Sequence, residues 1–80
     1  MSKSAIISGL KTLAKECSSD DAGNRIVPYL GVNMENLSDK DQAFFDGILT
    51  LAVNVEKPGR FTEEKRLRYY RELIRAIDAL

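Results

Sequence analysis

The side chains that could carry chemistry in this chain are few, and what is missing is as informative as what is present. There is no histidine among the 80 residues. The commonest general base and metal ligand is therefore absent, and Ser-His, Cys-His and HExxH arrangements cannot be built from this chain. Cys17 is the one thiol. It stands on an apolar stripe near the end of a predicted helix, where the dipole raises a thiol pKa, so it reads as a buried structural cysteine. It has no partner for an internal disulfide, which fits a reducing compartment.

Two carboxylate pairs, Asp20 with Asp21 and Asp39 with Asp41, could hold a hard cation. Each pair falls at the start of a predicted helix, where negative charge is favoured for local reasons, and the ligand series of an EF-hand is absent around Asp20. Gly23, Gly31, Gly47 and Gly59 are isolated, and none heads a phosphate-binding loop. No catalytic, cofactor-binding or metal-binding residue is assigned. The expectation is a protein that is not an enzyme and needs no cofactor.

Charge is distributed unevenly although the formal net charge is zero. Residues 1–19 carry three lysines against one acid, residues 20–55 two basic against six acidic groups, and residues 56–80 seven basic against five acidic. Near the C-terminus Arg68, Arg71 and Arg75 recur at i, i+3 and i+7, with Arg66, Tyr69 and Tyr70 interleaved. Arg and Tyr dominate interface energetics, so Arg66, Arg68, Tyr69, Arg71 and Arg75, together with an acidic rim of Asp39, Asp41 and Asp46, form the candidate partner-binding set. Glu64 with Arg68, Arg68 with Glu72 and Arg75 with Asp78 are spaced to pair along the helix, which would make the same stripe a self-neutralised solvent face.

The elements that position these residues follow from hydrophobic period. Ile6, Leu10, Leu13 and Cys17 mark an amphipathic helix over 3–17, capped by Ser2 or Ser4. Ser18 and Ser19 offer a new cap for a shorter helix over 20–30, which Pro28 should kink or end early and Gly31 should stop. Residues 32–37 read as a loop. Ser38 caps a helix over 38–54 in which Phe44, Phe45, Ile48, Leu49, Leu51, Ala52 and Val55 fill one arc, wide enough to meet both the first and the last helix. Pro58 and Gly59 fit the centre of a type II turn. Thr62 caps a last helix over 62–79, whose core stripe is Leu67, Tyr70, Ile74 and Ile77, widened by Tyr69, Leu73, Ala76 and Leu80. The alternative for 48–61 is a short hairpin around Pro-Gly.

The fold class is therefore all-α: one domain over 1–80, a small bundle of four helices. Apolar residues at 44% and charged residues at 30% are ordinary for a globular chain, and at this length margins of stability are thin. No apolar run reaches the ~20 residues that span a bilayer, and MSKSAIISGLK is too interrupted for a secretory signal, so no membrane partner is expected and a cytoplasmic location is. The functional expectation is protein–protein binding by a small regulator, inhibitor or accessory subunit, with another protein as partner and a homo-oligomer as a further outcome. The alternative is a nucleic-acid-binding protein using the basic stripe. The acidic start of the 38–54 helix opposes a helix-turn-helix arrangement, because Asp39, Asp41 and Asp46 would face phosphate.

Overall fold

The computed structural model describes residues 2–80. Four helices follow one another: α1 (Lys3–Glu16), α2 (Ala22–Asn33), α3 (Asp39–Val55) and α4 (Glu63–Asp78), with no strand among the described residues. The hairpin alternative is thus excluded, since residues 48–55 continue α3. Each helix packs chiefly on two others in the order α1, α2, α3, α4 and back to α1, and the most extensive contacts are those of α3 with α2 and α4. The central helix was expected to meet the first and the last. It packs most extensively on the second and the last, and meets α1 more lightly, where Lys3 lies over Phe44.

Local chemistry explains the starts of three helices. Ser2 accepts from the Ala5 N–H at 3.2 Å, Ser38 from Asp41 at 3.2 Å and Thr62 from Lys65 at 3.3 Å, each satisfying one orphan donor of a first turn. The fourth start is different. Ser18 opens a hydrogen-bonded turn: the Asp21 carboxylate accepts from its N–H at 2.8 Å, its own hydroxyl oxygen accepts from Asp20 at 3.2 Å, and its carbonyl accepts from Ala22 at 3.0 Å. Asp20 and Asp21 therefore precede α2 rather than occupying its first turn, and the helix begins at Ala22.

The end of α2 also departs from expectation. The helix passes through Pro28 and Gly31 and closes at Asn33, with the Met34 N–H donating to Leu30. Pro28 is exposed, so its ring displaces nothing in the core, and burial of Leu30 and Met34 on the inner face holds the chain helical beyond it. Gln42 then secures the connection, its Nε2 donating to the Met34 and Leu37 carbonyls at 3.0 and 3.1 Å.

Ile6, Leu10, Ile26, Leu30, Phe45, Val55, Leu73 and Ile77 form the sealed centre, and Cys17 is buried at its edge, where burial pushes its thiol pKa up. Phe44 leaves the expected arc: 42% exposed, it stands edge-on to Phe45 and carries the Lys3 ammonium over its ring at 3.8 Å. No type II turn follows α3. Among the described residues no glycine has positive φ, and the Lys57–Pro58 peptide is cis. Asn24 fixes the chain there instead, accepting from the Lys57 N–H at 2.8 Å and donating to its carbonyl at 2.9 Å. Beside it, Gly23 lets α2 touch the end of α3. A Cβ on Gly23 would fall 2.6 Å from the Glu56 nitrogen and 2.7 Å from the Ala52 oxygen, both backbone atoms.

Candidate functional site

Orientation of α4 decides which of its side chains are available. Its fully buried residues are Leu73 and Ile77, joined two turns earlier by Arg66 at 3% exposure. The core stripe expected from period, Leu67–Tyr70–Ile74–Ile77, is thus displaced sideways. Tyr70 reaches the core from one flank, whereas Leu67 and Ile74 are half-buried without packing against the buried cluster.

Arg66 lies on this buried face, with its side chain out of reach of a partner. Its Nη1 donates to the carbonyls of Ser19 and of Val55, the latter at 3.1 Å. Its Nε donates to both Glu63 carboxylate oxygens at 3.1 and 3.3 Å, and Nη2 pairs with Glu63 and stands 3.7 Å from Asp20. Lys57 completes the group, 3.2 Å from Asp20 and 4.0 Å from Glu63. The hydrogen bond between them holds the Glu63 carboxyl below its ordinary pKa and raises that of Arg66. One guanidinium thereby ties the α1–α2 connection and the last carbonyl of α3 to the first turn of α4.

The remaining arginines behave in the opposite way. Arg68, Arg71 and Arg75 are exposed, and among the described residues none of them makes an ion pair within 4.0 Å. The expected pairing with Glu64, Glu72 and Asp78 is not formed. Tyr70, Arg71, Ile74, Arg75 and Asp78 line a shallow groove of about 380 Å³ on the outer side of α4. Tyr69 lies elsewhere: half-buried, it leans on Phe61 with ring centroids 5.0 Å apart and shields the core. Arg68 is exposed but outside the groove.

The acidic set divides as well. Asp39 and Asp41 sit in the first turn of α3, where the helix dipole accounts for them. Asp46 joins Gly31, Met34, Glu35, Gln42 and Leu49 around a second groove of about 310 Å³ where α2 meets α3. Glu35 and Asp46 are exposed, with no ion pair among the described residues. This groove was not foreseen, because its two walls come from different helices. The α4 groove was half visible: the last helix carries more apolar arc than one neighbour covers, although Ile74 and Tyr70 were assigned to the core. Among the described residues no three Cys, Asp or Glu side chains gather as metal ligands would, and no helix is long and apolar enough to cross a membrane.

Comparison of the chain with protein-family models, curated proteins and solved structures finds no match.

Proposed function

We propose that the protein is a small binding module that acts on another protein through the outer face of α4, as a regulator, inhibitor or accessory subunit. The observation that carries this reading is the presence on one helix of Leu67 and Ile74, left off the core, and of three exposed arginines that have no ion-pair partner among the described residues. Apolar side chains bordered by arginine are the composition of an interface centre and rim. The fitting partner is an acidic surface with an apolar insert. A buried free thiol at Cys17 is in keeping with a cytoplasmic setting.

Affinity capture from native extract tests it. Arg71→Glu with Arg75→Glu should abolish capture of a partner that wild type and an Asp39→Lys control both retain. Retention of every partner by the double variant would overturn the choice of surface.

A second reading, contact with nucleic acid through Arg68, Arg71 and Arg75, is favoured by the same unpaired row. Against it stand the net charge of zero and the lack of any use for Leu67 and Ile74 on phosphate. Binding to duplex DNA at about 50 mM salt that weakens steeply with added salt would revive it.

A further inference from the structure

We infer that the partner taken by the α4 face is a second copy of this chain, docked head-to-tail with α4 seated on the acidic groove between α2 and α3. The inference rests on the reading of α4 as a binding face and names its occupant.

Charge complementarity carries it. Every ion pair among the described residues lies at Arg25–Glu16 or in the group around Arg66 and Lys57. Two sets of exposed charge stay unpaired beside apolar side chains: Arg71 and Arg75 with Ile74, and Glu35 and Asp46 with Met34 and Leu49. The α4 groove carries Arg71 and Arg75 against the single acid Asp78, and the seam groove carries Glu35 and Asp46 with no basic residue in its lining. The grooves are of similar size, about 380 and 310 Å³, and share no residue, so one copy can offer both at once.

Placing the acidic grooves face to face brings Glu35 and Asp46 towards their copies, and like charges so placed disfavour it. Placing α4 against its twin sets two faces of net positive charge together, since the lining of each carries Arg71 and Arg75 against the single acid Asp78. Seating α4 on the seam groove brings opposite signs together, and made head-to-tail this contact leaves a free groove at each end for further copies. Gly31 supports the geometry. A Cβ there meets nothing within 4 Å, so nothing inside the chain requires glycine, and its bare backbone lets a foreign side chain approach the groove floor. One helix face on one groove is a small contact, so association belongs to the weak, salt-sensitive class.

Sedimentation equilibrium of the full chain decides the matter. At about 50 mM salt, average mass should rise with concentration towards about 1 mM and pass that of a dimer, and added salt should reverse the rise. Arg71→Glu with Arg75→Glu, and separately Glu35→Lys with Asp46→Lys, should each weaken association by about a hundredfold. Mixing the two reversed variants should restore it, because each then meets a surface of opposite sign. Gly31→Gln, whose Cβ meets nothing within 4 Å inside the chain, should weaken association while leaving the helical circular-dichroism signal intact. A wild type that stays monomeric at about 1 mM and low salt overturns the inference. So does an oligomer that both reversed variants leave unchanged, or a mixture that stays monomeric. Monomeric behaviour together with loss of a captured foreign partner on arginine reversal would overturn only the identity of the occupant, leaving α4 as the binding face.

Discussion

Arg66 and Arg71 stand little more than one turn apart on α4, and they have opposite fates. Arg66 is 3% exposed and saturated with acceptors, two of them backbone carbonyls from distant parts of the chain, whereas Arg71 is exposed and has no ion-pair partner among the described residues. Around Arg66 the molecule is knitted closely: Gly23 brings α2 onto the end of α3, Asn24 grips Lys57, and Lys57 bridges Asp20 and Glu63. Along the outer faces of α4 and of the α2–α3 seam, Arg71, Arg75, Glu35 and Asp46 have no ion pair among the described residues, and apolar side chains are half covered. Residue type therefore does not set a role. Where the backbone offers carbonyls and excludes water, arginine fastens the fold; where it points outward beside Ile74, it is free for another molecule.

The sharpest test of that contrast is to remove each arginine in turn. Arg66→Ala should cost about 2 kcal/mol, because it leaves the Ser19 and Val55 carbonyls without their donor. Chemical denaturation followed by circular dichroism would register this as a lowered midpoint, while Arg71→Ala should leave the midpoint almost unmoved. Equal effects of the two would break the comparison. Similar in size, Gly23→Ala should destabilise by about 2 kcal/mol, since its methyl group has only backbone atoms of α3 to displace. The counterpart on the open side, Gly31→Ala, should stabilise by roughly 0.5 to 1 kcal/mol by removing a helix-interior glycine, because a Cβ there finds empty space. Opposite signs from one substitution at two positions of α2 would be read directly as a difference in melting temperature.

The smallest expected effect is on pH dependence. Arg66 holds the Glu63 pKa down, so this group contributes stability above its unfolded pKa of about 4.3 and loses it as pH falls through the lower folded value. Glu63→Gln should therefore flatten the acid limb of the stability curve below about pH 4 and leave its shape near neutrality unchanged. An unaltered acid limb would show that Glu63 gains nothing from the ion pair.

Much of the fold was legible in the sequence because the controlling interactions are local. Ser38 and Thr62 cap the helices expected of them, Cys17 lies buried on its stripe, and the four periodic segments become the four helices. The failures share a cause of another kind. Gly31 did not end α2 because burial of Leu30 and Met34 outweighed a local stop signal, and Pro-Gly did not make a type II turn where Asn24 holds Lys57 across 33 positions of sequence. Arg66 is set apart for the same reason: its type matches that of the other arginines, and the arrival of the Ser19 and Val55 carbonyls from distant parts of the chain buries it. Asp46 was chosen as one of an acidic trio, yet what marks it out is Glu35 and Gly31 across the seam, on a helix whose extent the local signals understated.

The Arg66 cluster also bears on time. Its reach to Ser19 spans 47 positions of sequence, so it can close only after the helices have met. Contacts of that kind are weakly formed in a folding transition state and fully formed in the native one. Their loss is then felt in the rate at which the molecule opens, with the rate at which it closes little changed. Arg66→Ala should therefore raise the unfolding rate with little change in the refolding rate, as stopped-flow chevrons would show.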